Sequence, residues 1–344
     1  MIKAGVTVLI CTYNGADRLR VTLQHLAAQV LPDFLSCEVI LVDNASTDHS
    51  AAFAQRVWST FNSGLTFKVF DEPRPGLTHA RERGFREAAY EYIILCDDDN
   101  WLSEHYVRHA YSIMEANPRI GILGGLGVFA FESTPPSWFG AFNLYAGGAQ
   151  AAQSGAVADH LVYGAGAVLR RSAYEKLLNH GFEPLLTDRL GYQLSSGGDH
   201  ELCYALALAG YQVWYDDRLL FHHFITSGRL TQTYCQTYIK ESSRCFAVLE
   251  PYKILLKTGN NSLTSFRMEL LKSFGYHVRK LTALMVSPPG KTYATDRGIT
   301  LQLDRMLLRL RLASYREFKL MEQHYRRAVA FRQRFLSPSS TKSD

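Results

Sequence analysis

Three adjacent aspartates, Asp97, Asp98 and Asp99, come directly after the apolar run at residues 92–96. Adjacent carboxylates repel one another strongly unless a positive charge lies among them. Mg²⁺ and Mn²⁺ take carboxylate oxygens in this way, often with substrate phosphates completing the coordination shell. Because alternate residues of an extended segment share a face, we expect Asp97 and Asp99 to converge on a divalent cation while Asp98 points elsewhere. A solvated acidic turn is the alternative interpretation.

Two further apolar runs, at residues 6–10 and 38–42, also end in short polar segments. Their hydroxyl, amide and carboxylate groups can read a base or a ribose. Ligands of open α/β sheets bind at the carboxyl ends of the strands, so the three segments together would outline a nucleotide diphosphate site above a metal. Each segment alone could be an ordinary strand-to-helix turn. The residues expected to contact the nucleotide here are Thr12, Tyr13, Asn14, Asp43, Asn44 and Ser46.

Strand-length apolar runs alternate with helical periodicity through the first half of the chain, which is typical of a mostly parallel sheet covered by helices. Residues 133–160 are rich in Gly, Ala, Ser and Pro and indicate a long irregular loop. The predicted strands are residues 6–10, 38–42, 66–70, 92–96, 120–128, 163–170, 212–215 and 218–221. The predicted helices of this part are residues 17–29, 49–60, 77–89, 104–117, 172–180 and 199–209.

After residue 230 the strand pattern ceases and the sequence predicts helices only. Three helical pieces are expected near residues 231–249, 262–286 and 296–334, with a break at Pro288-Pro289-Gly290. The sequence therefore predicts a mixed α/β domain at residues 1–230, a helical extension at 231–336 and a disordered tail at 337–344.

Charge is distributed unevenly along the 344 residues, whose net charge is +5. Residues 231–344 hold 20 Lys and Arg against 8 Asp and Glu, whereas the preceding part holds 17 against 24. A basic tail favours contact with an anionic surface, although a solvated helix face is an equal alternative. We expect peripheral contact with acidic lipid, or else a homodimer interface, through the arginines Arg309, Arg311, Arg316, Arg326, Arg327, Arg332 and Arg334.

Several classes of protein are disfavoured by what the sequence lacks. No apolar run reaches about 20 residues and no basic-then-apolar leader precedes the first strand, so we expect no spanning helix, no signal peptide and a cytosolic location, at most at the inner face of a membrane. The six cysteines have no metal-binding or redox spacing and are expected to be reduced and structural. A missing GxGxxG disfavours a dehydrogenase, and a missing basic, Gly-rich phosphate loop disfavours a nucleotidyltransferase. No nucleic-acid partner is expected.

Five ordered blocks of the chain resemble the family 2 glycosyltransferases of the GT-A fold: VTVLICTYN, EVILVDNASTD, GLTHARERGF, ILCDDDNWL and SGGDHELCYALALAGYQVWY. The resemblance covers about residues 5–230. It implies a Rossmann-like GT-A domain that binds a nucleotide-sugar donor with Mn²⁺ or Mg²⁺. It also implies that Asp43 reads a uracil edge, which favours UDP, that Arg81 lies along the donor pyrophosphate, and that Asp97 and Asp98 contact the donor beside the metal ligand Asp99.

The resemblance also implies a catalytic base. Residues 196–202 resemble a block usually written GEDxEL, whose aspartate takes the proton of the acceptor hydroxyl in inverting members. Here that aspartate is Asp199, and Gly198 stands where the block has glutamate. A helix N-cap is the alternative role for Asp199, and Glu201 is expected to bind the acceptor or support its loop.

Other expected contacts are less specific. One imidazole of His222 and His223 would reach the metal or diphosphate, because strand neighbours face opposite sides; we favour His223, and a surface pair is the alternative. Residues that would lie near the acceptor are Trp101, Trp138, Gly164, Ala165 and Gly166. The sequence thus predicts an inverting glycosyltransferase that uses a saccharide, lipid-linked or other hydroxyl acceptor. The alternative is a non-catalytic nucleotide-sugar-binding partner of another transferase.

Overall fold

The computed structural model describes residues 2–141, 145–191, 193–286 and 296–337. A mixed sheet of nine strands organises this part of the chain, in the order β3-β2-β1-β4-β8-β6-β9-β5, with β7 paired to β9. Strands β3, β2, β1 and β4 run parallel to one another. The strands are β1 (Lys3–Thr12), β2 (Cys37–Asp43), β3 (Thr66–Asp71), β4 (Tyr90–Asp97), β5 (Asn100–Leu102), β6 (Ile120–Phe131), β7 (Gly155–Ala156), β8 (Val168–Arg170) and β9 (Gln212–Ile225).

Helices cover both faces of the sheet and then continue alone to the end of the described chain. Those connecting the strands are α1 (Ala16–Ala27), α2 (Ser50–Trp58), α3 (Leu77–Glu87), α4 (Tyr106–Ala116), α5 (Arg171–Asn179) and α6 (Gly198–Leu208). Those that follow β9 are α7 (Gln232–Ser242), α8 (Phe246–Thr258), α9 (Leu263–Val286), α10 (Asp296–Ser314) and α11 (Phe318–Leu336).

Successive side chains of the buried strands point to opposite faces of the sheet, and this divides the core into two layers. In β1, Leu9 packs into one hydrophobic cluster, whereas Val8 and Ile10 pack into the other on the opposite face. This is the period-two pattern of a strand with both faces covered, and it explains why the run reads as continuously apolar. The ends of β1, β2 and β4 are thereby held rigidly at one edge of the sheet.

The sequence prediction of a mixed, mostly parallel sheet with flanking and C-terminal helices is confirmed, with three local differences. The two short strands expected at 212–215 and 218–221 form one strand, β9, whose pairing with β6 shifts register near Leu126. Only Val168–Arg170 of the expected strand 163–170 is extended. The short strands β5 and β7 were not predicted, because each acquires its pairing from the distant β9.

The helices after residue 230 are not a separate layer of the structure. Leu255 of α8 and Tyr325 of α11 are buried in the same cluster as Leu9 of β1. The structure shows no described helix that is both long and apolar enough to cross a bilayer. None of the six cysteines, all described, forms a disulfide. The expected break at residues 288–290 and nearly all of the expected disordered tail lie outside the described residues.

Candidate active site

A cleft of about 600 Å³ opens at the carboxyl ends of β1, β2 and β4. One wall consists of these strand ends and carries Thr12, Tyr13, Asn44 and the three aspartates. A second wall consists of the loop before α6, the start of α6 itself and the first helix after the sheet, α7. The cleft therefore combines segments that are far apart in sequence.

Asp98 is held by an ion pair with a residue of α1. Its carboxylate accepts hydrogen bonds from Arg18 Nε at 3.1 Å and Nη2 at 3.0 Å, and from Thr12 Oγ1 at 2.7 Å. Burial raises the pKa of Asp98, and Arg18 opposes that shift. One of the three adjacent negative charges is thus balanced by a residue of α1.

Asp99 lies beside a histidine and an arginine from the end of β9 and the turn after it. Arg229 Nη1 donates to Asp99 Oδ2 at 2.8 Å, and His223 Nε2 lies 3.6 Å from the same oxygen. Burial alone would raise the pKa of Asp99, but His223 and Arg229 outweigh it and hold the pKa below its usual range. His223 is fixed because its Nδ1 is 2.9 Å from the Ala146 carbonyl oxygen.

The register of β9 distinguishes the two histidines. His223 pairs with Asn100 of β5, lines the cleft and is buried, whereas His222 pairs with Trp101 and does not line the cleft. Of the two, only His223 is therefore placed to meet a ligand beside Asp99.

Asp97 also lines the cleft, and its carboxylate accepts no hydrogen bond within the described residues. Burial and then Asp99 raise its pKa to about 6, while Arg81 opposes the shift. Among the described residues no group of three His, Cys, Asp or Glu side chains is arranged to hold a metal. Two carboxylates and an imidazole nevertheless suit Mn²⁺ when substrate phosphates supply the remaining ligands.

The polar turns after β1 and β2 are hydrogen-bonded to each other. Some of the residues expected at the nucleotide take part in these bonds, whereas the others line the cleft. Asn14 Oδ1 accepts from Thr47 N at 2.8 Å, and Ser46 Oγ accepts from Asn14 N at 3.0 Å. Asp43 accepts from Ser46 N and Ala51 N, both at 3.1 Å. Asn14, Ser46 and Asp43 therefore brace the turns and do not line the cleft, in contrast to the expectation, because their polar atoms satisfy nearby backbone groups.

Asp199 reaches the cleft from the first turn of α6. Its Oδ2 accepts from Gly164 N at 2.8 Å, and its Oδ1 accepts from Arg81 Nη1 at 3.2 Å. The N-cap position belongs to Gly197, without a side-chain cap, so the alternative role of Asp199 as the helix cap is not what the structure shows. Burial alone would raise the pKa of Asp199, but Arg81 and His200 outweigh burial. The pKa of Asp199 is therefore lowered and its carboxylate is ionised.

Arg81 lines the cleft as expected, but its guanidinium is shared by two carboxylates. Besides Asp199 it binds Asp188, whose Oδ2 accepts from Arg81 Nη1 at 2.9 Å. Burial and then Asp199 raise the pKa of Asp188 to about 7, against the opposing effect of Arg81. Of the two carboxylates that share Arg81, Asp199 is therefore the more acidic and the one that stays ionised near neutral pH.

Four residues expected near the acceptor lie elsewhere, while Gly164 and Ala165 do line the cleft. Glu201 is fully buried and accepts from Leu185 N, Leu186 N and Tyr252 Oη, so it supports the loop and cannot reach an acceptor. Trp101 stacks on His25 and Phe224. Trp138 is buried against the C-terminal helices. The Gly166 carbonyl accepts from Tyr106 Oη. In each case the ring, carboxylate or carbonyl group that would contact a ligand is already packed or hydrogen-bonded within the protein.

Several cleft residues were missed by the sequence prediction. They come from the loop before α6, from α1 and from the segment at and after the end of β9, where no family-like block directed attention. Arg189 lies over the Tyr238 ring at 5.2 Å, and Arg229 over Tyr145 at 5.1 Å. Arg189 Nη1 and Arg229 Nε are buried without a hydrogen-bond partner in the described part of the protein. The missed residues are Arg18, Asp188, Arg189, Arg229, Tyr234 and Tyr238.

A family model described as glycosyl transferase family 2 matches residues 7–178, which is half of the chain. The protein belongs to glycosyltransferase family 2. The matched segment contains the whole strand-end wall of the cleft and ends before α6. The resemblance of the five blocks to this family is therefore confirmed at the level of the family.

Curated relatives within the family match only part of this glycosyltransferase. The cholesterol galactosyltransferase of Borreliella burgdorferi is 30% identical over 115 residues, which are 33% of this chain and 30% of that protein. The poly-beta-1,6-N-acetyl-D-glucosamine synthase of Staphylococcus epidermidis is 25% identical over 122 residues, or 35% of this chain and 28% of that protein. The match thus spans under a third of the length of either relative.

Solved structures match this family 2 chain over nearly its full length. The mannosyltransferase PcManGT from Pyrobaculum calidifontis, in complex with GDP-Man and Mn²⁺, has a TM-score of 0.56 and 18% identity, and the match covers 91% of this chain and 86% of that one. S. aureus TarS 1–349 in complex with UDP has a TM-score of 0.52 and 13% identity, with 94% and 90% covered. At these identities the likeness establishes the fold, which is the GT-A type.

Proposed function

We propose that the protein is an inverting glycosyltransferase that moves a sugar from a nucleotide-diphosphate donor, UDP-linked in preference, to a hydroxyl acceptor. The observation that carries this proposal is that a set of metal-type ligands and a separate carboxylate line one cleft. Asp97, Asp99 and His223 lie together near the strand ends, and Asp199 lines the same cleft from the start of α6. A single displacement needs both, because the acceptor hydroxyl attacks the anomeric carbon from the side opposite to the departing diphosphate.

We also propose that a divalent cation binds at the strand-end wall, which is the donor wall of this proposal. Asp97, Asp99 and His223 would hold it together with diphosphate oxygens, and the bound cation would neutralise charge on the departing diphosphate. The PcManGT structure contains Mn²⁺, which supports the same class of ion here. Arg189 and Arg229 bring positive charge to the cleft, where they can bind anionic parts of the substrates.

Asp199 is the proposed base. Its carboxylate is ionised and about a quarter exposed, and Gly164 N and Arg81 fix its orientation. An ionised carboxylate at hydrogen-bond distance from an acceptor hydroxyl takes the proton as that oxygen attacks the anomeric carbon. Gly164 is required here because a Cβ at this position would lie 2.7 Å from Asp199 Oδ2.

The cleft also offers flat aromatic surfaces for an acceptor. Tyr234 and Tyr238 of α7 line the cleft together with Tyr145, and aromatic rings pack well against sugar faces. The relatives named for a galactosylated sterol and for a polysaccharide support a lipid or glycan acceptor. An acceptor carried by a lipid would also require contact with a membrane surface.

For that contact we propose the exposed apolar side of α9 as the main surface, because several arginines of the later helices already have internal partners. Arg311 pairs with Glu250, Arg327 pairs with Glu183, and Arg332 donates to the Gly259 carbonyl at 3.0 Å. These internal partners reduce the capacity of the later helices to bind lipid headgroups. By contrast, Leu271 is 65% and Val286 78% exposed on α9.

The exposed apolar side chains of α9 are concentrated on one side of the helix and have basic residues near them. Six exposed side chains fall within an arc of roughly 120° at about 100° per residue: Met268, Leu271, Phe274, Val278, Met285 and Val286. Arg279 follows one edge, and Arg309 and Arg316 line a groove with Phe274 at the other. An anionic bilayer complements this pattern, whereas a second copy of the face would bring arginine against arginine.

Vesicle sedimentation tests the membrane contact. We expect binding to vesicles that contain phosphatidylglycerol, weakened by salt, and little binding to pure phosphatidylcholine. A Leu271→Glu, Met285→Glu double variant should lose binding, whereas Phe34→Glu, at a residue 76% exposed elsewhere on the surface, should retain it. Unchanged sedimentation of the double variant would contradict the role of α9, and a stable dimer disrupted by the same variant would assign the face to self-association.

Release of nucleoside diphosphate tests the transferase itself. Wild-type protein with Mn²⁺ should release UDP or GDP from one member of a panel of UDP-glucose, UDP-galactose, UDP-N-acetylglucosamine and GDP-mannose, and saccharide or glycolipid acceptors should accelerate that release. Binding of a nucleotide sugar without any release, across acceptors, would instead support the alternative of a non-catalytic partner.

A further inference from the structure

A second buried carboxylate, that of Asp188, lies next to Asp199 and has no part in the reaction described above. Asp188 is 5% exposed and sits in the loop before α6. A single nitrogen, Arg81 Nη1, donates to both Asp188 Oδ2 and Asp199 Oδ1, at 2.9 and 3.2 Å. The arginine therefore couples the loop carboxylate to the one that faces the cleft.

The Asp188 carboxylate occupies the space beside Gly198, the residue immediately before Asp199. Its Oδ1 accepts from Gly198 N at 2.7 Å. A Cβ added to Gly198 would overlap Asp188 Oδ2 and lie 2.8 Å from Asp188 Cγ. Gly198 does not have a left-handed φ, so its backbone conformation is compatible with a side chain. The Asp188 carboxylate is what leaves no space for a side chain at this position.

This overlap has a specific geometry. Asp188 Oδ2 is about as far from the added Cβ as a carboxylate oxygen is from the Cβ of its own aspartate. An acidic side chain at position 198 would therefore compete with the Asp188 carboxylate for the same space near Arg81. The block that residues 196–202 resemble has an acid at this position, and here it is glycine.

We propose that Asp188 is a positioning residue that supplies from the loop the carboxylate missing at position 198, and that it holds Asp199 toward the cleft through Arg81. The proposal rests on the proposed role of Asp199 as the base. With Asp188 present, Arg81 is anchored from two sides, and Asp199 keeps its second oxygen on Gly164 N. Without Asp188, the guanidinium is left with Asp199 as its remaining anchor, and the base is drawn toward it.

An exchange of the two residues tests the proposal. Asp188→Gly should lower kcat about 10- to 100-fold, the range expected for a small misplacement of a reacting group, with donor KM and nucleotide Kd unchanged. Gly198→Asp should also be impaired, because its side chain overlaps Asp188. The double variant Asp188→Gly, Gly198→Asp should recover to within about threefold of wild type. Glu183→Gly, an exposed acid of the same loop, is the control and should keep its kcat.

The wild-type protein and the same variants distinguish failure of this inference from failure of the proposed function. If wild-type protein releases no nucleoside diphosphate from any donor, the proposed function fails, yet thermal unfolding still tests the exchange. Gly198→Asp should unfold at a lower temperature than wild type, and the double variant should regain most of that loss. Additive losses in unfolding temperature, or full kcat in Asp188→Gly, would overturn the inference.

Discussion

The two walls of the cleft are built in different ways. The donor wall consists of residues at the ends of adjacent parallel strands, where the backbone register brings Thr12 beside Asp43 and Cys11 beside Asp97. The acceptor wall consists of a loop, the start of α6 and α7, joined by side-chain bonds such as Arg81 to Asp188 across 107 residues. The first wall is fixed by the sheet, and the second is fixed by a small number of buried polar contacts. Changes to the acceptor wall should therefore affect turnover more than donor binding.

The largest expected effect is that of Asp199→Asn. Loss of a general base lowers turnover about 10²- to 10⁴-fold, while binding of the donor nucleotide should stay within about twofold, because the donor wall is untouched. Steady-state kinetics and calorimetry on the same preparation measure both quantities. The exposed Asp33→Asn is the matched control, and retained turnover in Asp199→Asn would remove this residue as the base.

The donor wall should respond in the opposite way. Asp99→Asn is expected to weaken Mn²⁺-dependent nucleotide binding about 100-fold, which corresponds to about 2.7 kcal/mol, because one charged metal ligand is lost. Calorimetric titration with the nucleotide in Mn²⁺ measures this change. Equal binding by the variant and wild type would show that the cation, if bound, does not use Asp99.

Substitution of Glu201 distinguishes two roles for this residue, support of the acceptor wall and direct contact with the acceptor. Glu201→Ala should lower the free energy of unfolding by about 2 kcal/mol, because Leu185 N, Leu186 N and Tyr252 Oη lose a buried acceptor. Urea denaturation measures the loss, with the exposed Glu104→Ala as the control. An unchanged urea midpoint of unfolding together with a raised KM for the acceptor would show that Glu201 contacts the acceptor.

The histidine pair gives the smallest effect and a matched comparison within one strand. His223→Ala should weaken Mn²⁺-dependent nucleotide binding about tenfold, or about 1.4 kcal/mol, whereas His222→Ala should leave it within twofold. The difference follows from the pairing of β5 with β9, which directs only His223 to Asp99. Equal effects of both substitutions would contradict this register.

The sequence predicted the donor wall better than the acceptor wall for a physical reason. Asp97–Asp99 follow an apolar strand, and strand ends meet at one edge of a parallel sheet, so their proximity can be inferred locally. Asp188, Tyr234 and Tyr238 reach the cleft only through the packing of a loop and a helix, which no periodicity reveals. Asn14 and Ser46 were expected at the ligand because they lie in polar turns after strands, whereas the Asn14 side chain accepts from the backbone of Thr47 and the Ser46 side chain accepts from that of Asn14.

The helices after β9 show again that tertiary packing could not be predicted from sequence periodicity. Its helices were predicted from periodicity, but the participation of α8 and α11 in the core of the sheet domain was not. Leu255 and Tyr325 join the cluster that also contains Leu9 and Ile40, more than 200 residues earlier in the chain, and only the tertiary structure brings them together. The exposed apolar face of α9 could likewise be recognised only once its buried neighbours Phe266 and Leu270 were located.

The central claim is that the strand-end wall binds a nucleotide diphosphate with a metal ion. Calorimetric titration of the wild-type protein with UDP, GDP and dTDP, each in Mn²⁺, in Mg²⁺ and in EDTA, tests it most directly. We predict metal-dependent binding of one nucleotide, with UDP preferred, that disappears in EDTA. Absence of binding by all three nucleotides in either metal would contradict the claim, although the fold and the family would stand.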